Sequence, residues 1–480
     1  MQAAISLRHP PRSVRNRFGF NPIPRRYFWP RGKAAALLLC ALPLAGMAMR
    51  AQAPGGAVNN APGTAAGRTA TPGEFFRVAQ IRGVWWFIRP DGRKMISAGV
   101  DHVSFRGDGV WQGSGYPYRA AVMARYGRYA AWKQATERRL RAWGFNTIGA
   151  WSDRRMETPP GLPYTIVLDI AARAGANWKK GRVADFYSPQ FEQAARRLAA
   201  RICRPHRNDP NLLGYFSDNE LRWGADWRGK QTLLAMYLAL PADAPGRQAA
   251  VAYLKREYFG RIAALDSAWG VHAAGFRRLR GMGKTAAYRY DARQFLRQAA
   301  GRYFQICAKA IHAADPNHLY LGARIAWPWY PAVLAAAKWA DVVSVNIYAR
   351  DPRPVAARAA RLSGRPVMVT EFAFRARDAV TPNLKGAGPR VANQRARGEA
   401  YAKYVERLES LPQAVGYHWF EWCDEPRQGR ALDGEDSNYG LVRIHDRRYR
   451  RFVRLVSAAN RQAAAEHGSS HAGRKRRGRF

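Results

Sequence analysis

The sequence contains few cysteines, four in 480 residues. They are Cys40, Cys203, Cys307 and Cys423, and no two of them are close enough to form a CxxC pair. This spacing argues against the common zinc-binding and thioredoxin-like motifs. If an N-terminal segment containing Cys40 is removed, three cysteines remain. They are either buried thiols or one disulfide and one free thiol.

Acidic residues are also scarce, with 34 Asp and Glu against 79 Lys and Arg, so the formal net charge is +45. Such a charge predicts attraction to polyanions, including nucleic acids, acidic polysaccharides and anionic envelopes. The arginines are spread along the whole chain, however, and the one dense basic run is at residues 474–479. Because no nucleic-acid-binding module is recognisable, the charge does not predict specific nucleic-acid recognition.

The chain begins with a pattern typical of export signals. Arg25 and Arg26 precede an apolar run at residues 34–49, and small residues follow at 51–53. The run is short and interrupted by proline, which favours a signal segment over a membrane span. We therefore expect residues 1–53 to be a targeting segment that directs export by the general secretory or the twin-arginine route. The mature protein is expected to be secreted, periplasmic or in the cell envelope, without a stable membrane span.

Composition divides the rest of the chain into three parts. Residues 54–73 are rich in Gly, Ala and Pro and are predicted to be a disordered linker. Residues 466–480 carry the basic run and are predicted to be a disordered tail. The interval 74–465 is long enough for one large folded domain.

Within this domain, short apolar runs alternate with helical patterns. The domain begins with a predicted β-hairpin around Pro90-Asp91-Gly92. Its second strand opens a series of eight strands. A long helical section at about 224–314 follows strand four, and its part at 292–314 is predicted to be the return helix, with Asp291 as N-cap. Because the section exceeds one crossover helix, part of it is an insertion. The first part of this insertion, through Trp269, is expected to fold over the cleft. The count predicts an α/β fold, a (β/α)₈ TIM barrel. A doubly wound open sheet is disfavoured because no Gly-rich phosphate turn follows the first strand.

Polar side chains follow the carboxyl ends of the predicted strands, where α/β barrels carry their chemistry. Glu220 ends strand four and Glu371 ends strand seven, on roughly opposite sides of the barrel mouth. The other candidates, all predicted to contact substrate at the same mouth, are His102, Trp151, Asn219, Asn346, Tyr348, His418, Trp419, Glu421 and Trp422.

Two facing carboxyl groups are what glycosidic cleavage requires. One protonates the leaving oxygen and the other attacks the anomeric carbon or activates water, and a separation of about 5–5.5 Å implies retention. Asn219 is predicted to orient the 2-hydroxyl of the sugar. Tyr348 is predicted to donate to the nucleophile and keep it ionised, and Trp419 to offer an apolar face to the sugar ring.

Each of these residues alone also has an ordinary structural explanation. A glutamate in an arginine-rich chain readily forms a salt bridge, and His102 or His418 is more often a structural histidine than a catalyst. The acidic loop at 433–438 is predicted to be a solvated loop or a rim for sugar hydroxyls, since its spacing does not match a calcium-binding loop. No metal and no cofactor are predicted. The occurrence of these residues together, at the ends of several strands, favours a glycosidase.

Four stretches carry a resemblance to a known family. They are GFNTIGAWSD at 144–153, GYFSDNE at 214–220, TEF at 370–372 and the run at 417–440. Together they resemble the family 50 β-agarases, which are retaining glycoside hydrolases of clan A. The likeness extends over about 75–445 and implies a (β/α)₈ barrel. It also implies that Glu220 is the acid/base and Glu371 the nucleophile.

The sequence therefore predicts a secreted retaining glycoside hydrolase that cleaves β-galactosidic linkages of a polysaccharide or oligosaccharide. The alternative is a non-catalytic barrel that binds an anionic envelope or exopolysaccharide glycan, which the charge of +45 would favour. Nucleic-acid binding through the arginines and the basic tail is a third hypothesis. It is the weakest because no base-reading module is present.

Overall fold

The computed structural model describes residues 73–157, 161–280 and 283–467. The predicted targeting segment, almost all of the predicted linker and the basic run of the tail lie outside the described residues. Their predicted boundaries therefore stay predictions. Within the described residues, no helix combines the length and apolar character needed to cross a membrane.

A small antiparallel sheet opens the described chain. It contains β1 (Arg77–Ile81), β2 (Val84–Ile88) and β3 (Lys94–Met95). The predicted hairpin is confirmed as β2 and β3, and β1 adds a third strand. Phe87 and Met95 of this sheet pack in an apolar cluster with residues at the beginning of the later strands. The small sheet therefore closes the end of the barrel that is opposite to the strand carboxyl ends.

The remaining strands are β4 (Ser97–Val100), β5 (Thr147–Ile148), β6 (Tyr164–Val167), β7 (Leu212–Phe216), β8 (Leu319–Tyr320), β9 (Val343–Asn346), β10 (Val367–Phe372), the short pair β11 (Arg375–Ala376) and β12 (Arg390–Val391), and β13 (Ala414–Trp419). Eight of them form one parallel sheet in the order β8-β7-β6-β5-β4-β13-β10-β9. The two edges meet, because Ile325 beyond β8 bridges in parallel to Val345 of β9. The predicted (β/α)₈ barrel is confirmed.

The helices are α1 (Pro117–Tyr126), α2 (Tyr129–Ala142), α3 (Ile170–Arg173), α4 (Pro189–His206), α5 (Leu233–Leu238), α6 (Pro245–Glu257), α7 (Ile262–Trp269), α8 (Ala286–Ala314), α9 (Pro331–Ala336), α10 (Arg353–Ser363), α11 (Gln394–Glu409) and α12 (Arg450–Glu466). Several begin at a side-chain cap, which satisfies a free backbone N–H. Ser188 caps α4, Thr285 caps α8 and Asn393 caps α11. Most of these helices surround the sheet.

The predicted insertion after strand four is confirmed as α5, α6 and α7, but its position differs from the expectation. These helices pack against the long helix α8 rather than over the cleft. Asp291 of α8 accepts hydrogen bonds from Tyr258 (2.6 Å) and from Trp269 Nε1 (2.7 Å). Asp291 is thus a buried anchor for the insertion and not the cap of α8. Because α8 offers a long amphipathic flank, the insertion buries its apolar face there.

The strands of the barrel have no solvent-facing side, which explains their continuous apolar runs. All five residues of β7 are buried. The three cysteines in this part of the chain, Cys203, Cys307 and Cys423, are buried free thiols. This resolves the two alternatives left by the sequence in favour of thiols.

Candidate active site

The carboxyl ends of the barrel strands surround a cavity of about 650 Å³. Glu220 and Glu371 both line it. Its other acidic members are Asp108, Asp169 and Glu435, and its aromatic members are Trp151, Trp178, Trp227, Trp327, Trp329, Tyr348 and Phe420. This cavity, called the cleft below, therefore combines carboxylates with apolar ring faces, as sugar-binding sites require.

Glu371 lies at the end of β10 and is 5% exposed. Its Oε1 accepts a hydrogen bond from Arg324 Nη2 (2.6 Å), and its Oε2 accepts one from the Tyr348 hydroxyl (2.8 Å). Burial raises the pKa of Glu371 to about 8, with Arg324 acting against the rise and the neighbouring Glu220 adding to it. Its two donors favour the charged form of the carboxyl group and offset part of the cost of burying it.

Arg324 organises the floor of the cleft. It follows β8, is fully buried, and donates to Asp101 Oδ2 (2.8 Å) and Asn219 Oδ1 (2.9 Å) in addition to Glu371. A buried guanidinium with several carboxylate and amide acceptors holds them in a fixed geometry. No local sequence pattern indicates that this arginine contacts the candidate nucleophile.

Glu220 follows β7 and has a left-handed backbone, with φ of +49°. Its Oε1 accepts from Asn346 Nδ2 (3.0 Å) and its Oε2 from Trp178 Nε1 (3.3 Å). The Arg228 guanidinium donates to the Glu220 carbonyl oxygen (3.0 Å). The carboxyl group is thus held by neutral donors, in contrast to the arginine that holds Glu371.

A continuous chain of hydrogen bonds joins the two glutamates. Asn219 Oδ1 accepts from Arg324, which also holds Glu371, and from Asn346 Nδ2 (3.1 Å), which also holds Glu220. Both neighbours of this oxygen are donors, so the amide orientation of Asn219 is fixed. Its Nδ2 remains as a donor at the cleft surface, available to a sugar hydroxyl.

His102 lines the cleft and contacts two acids, Asp108, which also lines the cleft, and the buried Glu421. Its Nδ1 donates to Glu421 Oε2 (2.6 Å) and lies 3.6 Å from Asp108 Oδ2. Burial lowers the pKa of His102, but Asp108 and Glu421 outweigh burial and raise the pKa to about 9. The imidazole is therefore charged at neutral pH, and Nε2–H is its remaining donor toward the cleft.

The same three residues form a possible metal site, since one ligand atom from each lies within 4.8 Å of the others. However, Nδ1 of His102 carries a proton in the hydrogen bond to Glu421, and a metal requires the neutral imidazole. The set fits an ion pair better than a metal site. In the loop at 433–438, Arg430 Nη2 pairs with Asp433 (2.6 Å) and with Glu435 (3.2 Å). This loop forms part of the rim, one of the two arrangements predicted.

Five predicted contact residues line the cleft: His102, Trp151, Asn219, Asn346 and Tyr348. The hydrogen bond predicted from Tyr348 to the candidate nucleophile is present. The functional roles of these residues stay predictions. Asp218, which also follows β7, accepts from the Tyr303 hydroxyl (2.6 Å) and Ala171 N (2.8 Å) and is 2% exposed, so it supports the fold.

The prediction that Trp419 offers its face to a sugar is wrong. Trp419 is fully buried, and its Nε1 donates to the Tyr439 carbonyl (2.8 Å). Its ring packs against Phe372 and the helix layer, with centroids 5.2 Å apart in the case of Phe372. The next residue, Phe420, lines the cleft. Because neighbouring side chains on a strand point to opposite faces, the shift of one residue decides which ring meets the sugar.

The predicted substrate contacts of His418, Glu421 and Trp422 are also wrong, since all three are fully buried and none lines the cleft. His418 Nε2 lies 3.0 Å from Ser97 Oγ inside the barrel, and burial lowers its pKa. Glu421 contacts His102, which lines the cleft, and does not reach the cleft itself. Trp422 Nε1 donates to the Tyr118 hydroxyl (2.7 Å) behind the strands.

Sequence reasoning missed several residues of the cleft. Asp169 follows β6, so the strand-end rule could have found it. Trp178 and Trp227 lie on loops, and their rings contact each other with centroids 5.5 Å apart. Trp227, 62% exposed, lines the cleft, whereas Trp223 is 4% exposed and packs in the core. No local pattern distinguishes these two tryptophans.

The chain is similar to known proteins in both sequence and structure, although no family model matches it. It is 27% identical over 464 residues to β-agarase B of Vibrio sp. (strain JT0107), which covers 81% of this chain and 48% of the relative. It is 28% identical over 448 residues to β-agarase A of the same strain, covering 79% and 45%. The chain resembles the β-agarases. It spans about half the length of the curated relatives that it matches.

Solved structures agree with this resemblance. An exo-β-agarase superposes with a TM-score of 0.72 at 25% identity, covering 83% of this chain and 66% of that one. The agarase AgWH50C superposes with a TM-score of 0.73 at 24% identity, covering 84% and 66%. The resemblance predicted from the four motifs is therefore confirmed, and the agarase-like fold extends over most of the described chain.

Proposed function

We propose that this agarase-like protein is a secreted retaining glycoside hydrolase that cleaves β-galactosidic linkages of an agar-type polysaccharide or its oligosaccharides. One observation carries the proposal. Glu220 and Glu371 line one cleft, and a chain of hydrogen bonds fixes their relative positions while giving them different partners. The similarity to β-agarases supports the enzyme class and the substrate. Export rests on the N-terminal pattern of the sequence.

In the first step, a carboxylate oxygen of Glu371 attacks the anomeric carbon, and the bond from that carbon to the glycosidic oxygen breaks. The Glu220 carboxylic acid gives its proton to the departing oxygen. The product is a galactosyl ester of Glu371, and Glu220 is left ionised. Arg324 and Tyr348 donate to Glu371 and favour its carboxylate form, against the burial that raises its pKa to about 8. Glu220 has only neutral donors at its carboxyl group, so we assign Glu371 as the nucleophile.

In the second step, Glu220 removes a proton from water, and the water oxygen attacks the anomeric carbon of the ester. This frees Glu371 as a carboxylate and returns the proton to Glu220. Trp178 and Asn346 are neutral donors, so they can hold Glu220 in both its charged and its protonated form. Neutral partners suit a group that must change its protonation state twice in each cycle.

The charge distribution of the cleft favours an uncharged sugar. Five acids line it, and its basic members are His102 and Arg430, while Arg324 is already neutralised by Asp101 and Glu371. An anionic glycan would meet like charges there. The alternative of a barrel that binds an anionic glycan in this cleft is therefore less well supported, despite the net charge of +45.

Chemical rescue with azide tests the two roles separately. In Glu371→Gly, azide should attack from the vacated side and give the α-galactosyl azide, whereas in Glu220→Gly it should attack the ester and give the β-azide. Activity of each variant without azide should fall by about four orders of magnitude or more. Glu399→Gln, on the outer helix α11, is the control and should match the unmodified protein.

Rescue products of the same anomeric form in both variants would contradict the assignment. Proton NMR of the first product from agarose oligosaccharides tests retention directly, since the β-anomer must appear before mutarotation. Export is tested by sequencing the N-terminus of the protein recovered from each fraction of the producing cells. Recovery from the cytoplasm alone, with residues 1–53 intact, would contradict secretion.

A further inference from the structure

A second cavity, about 1470 Å³, lies on the flank of the barrel between the α1–α2 pair and the beginning of α12. It shares no lining residue with the cleft. Eight arginines and four acids line it. We call it the arginine groove and define it by six of its exposed arginines, Arg427, Arg443, Arg447, Arg448, Arg450 and Arg451.

The acids of the groove do not neutralise these six arginines. Asp446 is fully buried, and its carboxylate is taken up by Arg125, Arg139, Tyr118 and Tyr126. The other buried acids, Asp424 and Glu425, also face other partners: Asp424 accepts from Asn438, Gly440 N and Tyr449, and Glu425 accepts from Ser437 N and pairs with Arg430. The fourth acid, Asp378, is exposed and accepts hydrogen bonds from Gln394 rather than from an arginine. One exposed carboxylate against six arginines leaves the surface of the groove strongly positive.

Within the described residues, none of the six arginines forms an ion pair. The Arg427 guanidinium donates to the Val380 carbonyl (2.7 Å), and that of Arg443 lies over the Tyr449 ring at 5.0 Å. Neither contact removes charge. Six like charges around one concavity repel each other, so the arrangement is costly unless an anion binds between them.

The first turn of α12 adds to this attraction. Its cap residue, Tyr449, provides no side-chain hydrogen bond, no acid lies in the first turn, and Arg450 and Arg451 are placed there instead. Arginines at a helix N-terminus act against the helix dipole, whereas an anion at the same place is favoured by the dipole and by free backbone N–H groups.

The groove is also held in a fixed shape. Residues 443–447 form a turn in which Arg443 N donates to the Arg447 carbonyl (2.9 Å) and Asp446 N donates to the Arg443 carbonyl (2.8 Å). Asp446 adopts a left-handed backbone, with φ of +57°, and its carboxylate is anchored from α1 and α2. The arginines of the turn are thus presented on a rigid backbone, which lowers the entropic cost of binding.

We propose that the arginine groove binds an anionic polysaccharide through its carboxylate or sulfate groups and docks the protein onto an acidic glycan. Guanidinium groups suit these planar or multi-oxygen anions because they donate two parallel hydrogen bonds. Single-stranded nucleic acid fits less well, because such sites use exposed rings for base stacking and the groove's tyrosine, Tyr449, is 3% exposed. The choice of a glycan as the ligand rests on the proposed function. Because the groove and the acidic cleft share no lining residue, an anionic glycan can bind in the groove without entering the cleft.

Binding of alginate, dextran sulfate and uncharged dextran to the full chain tests the proposal, with affinities measured at several salt concentrations. The triple variant Arg447→Ala/Arg450→Ala/Arg451→Ala should bind the two anionic polymers at least about tenfold more weakly, with a shallower salt dependence. Dextran should not bind either form. The matched control is Arg261→Ala/Arg293→Ala/Arg297→Ala, which removes the same charge from exposed positions of the insertion and α8, and it should change affinity less than about twofold.

Equal losses in the two triple variants would overturn the proposal, since they would show that net charge alone governs binding. A larger loss for single-stranded DNA than for alginate in the groove variant would assign the groove to nucleic acid instead. Replacing the same three arginines by lysine checks folding, because it keeps the charge and should retain part of the affinity. Hydrolysis of soluble agarose oligosaccharides is measured in parallel and should be unchanged, so failure of the groove and failure of the proposed function are distinguishable.

Discussion

Tyr348→Phe tests the electrostatic design of the cleft most directly. The substitution removes one oxygen and leaves the ring, so the hydrogen bond from the Tyr348 hydroxyl to Glu371 Oε2 (2.8 Å) is lost. A hydrogen bond to a carboxylate favours its ionised form, and the loss of this bond must raise the pKa of Glu371. That pKa is already raised to about 8 by burial, against the opposing effect of Arg324.

The size of the change follows from the kind of bond. Hydrogen bonds to charged groups contribute about 1.5–3 kcal/mol, which corresponds to about one to two pH units. Attack requires the Glu371 carboxylate, so activity is lost as pH falls through this pKa. The acid limb of kcat/KM should therefore move to higher pH by about one to two units, and activity at neutral pH should fall about 10- to 100-fold.

The assay is the pH profile of kcat/KM on agarose oligosaccharides, followed by release of reducing ends. Tyr404→Phe is the matched control, since the buried Tyr404 hydroxyl donates to the uncharged Ile347 carbonyl (3.0 Å) beside the cleft. It should lower thermal stability slightly and leave the acid limb in place. An unmoved limb in Tyr348→Phe, or equal shifts in both variants, would refute the reasoning.

Three further predictions concern other parts of the cleft. Arg324→Met should move the acid limb further than Tyr348→Phe does, because a full charge at this distance contributes about 4 kcal/mol. Arg324→Lys keeps the charge and should show a smaller shift than Arg324→Met. Equal shifts in the two Arg324 variants would contradict the charge argument. The ion pairs of His102 stabilise the fold at neutral pH, and this contribution is lost as pH rises through its pKa of about 9. Across that pH range, the melting temperature of the unmodified protein should fall more than that of His102→Gln. Trp227→Ala should raise KM for long oligosaccharides with little change in melting temperature, whereas Trp223→Ala should cost about 3–5 kcal/mol of stability; the reverse pattern would contradict their assigned positions.

Much of the fold was predictable because its causes are local. The run Leu212–Phe216 is apolar on both faces, which a strand of a parallel barrel requires, and it ends in polar residues where such strands reach the mouth. The same reasoning located Glu371 at the end of β10. The pattern of apolar residues and the position of each glutamate at a strand end therefore identified both candidate catalytic glutamates.

The sequence predicted only some of the aromatic residues that face the cleft, Trp151 and Tyr348 among them. Trp419 and Phe420 are adjacent, and their order depends on how β13 is paired with its neighbours, which no local pattern specifies. Similarly, Trp223 and Trp227 are separated by four residues, yet one packs in the core and the other lies at the rim. The insertion was recognised by its length, but its packing on α8 depends on an apolar flank contributed by distant residues.

The sequence by itself determined the alternation of strands and helices, the insertion and the two glutamates at the mouth, because periodicity and strand ends are written in neighbouring residues. Only the tertiary structure decided that Arg324 holds Glu371, that an acidic cleft coexists with a net charge of +45, and that arginines from separate segments meet in one groove. These features arise between residues far apart in the chain, where distance and burial set the strength of each charge.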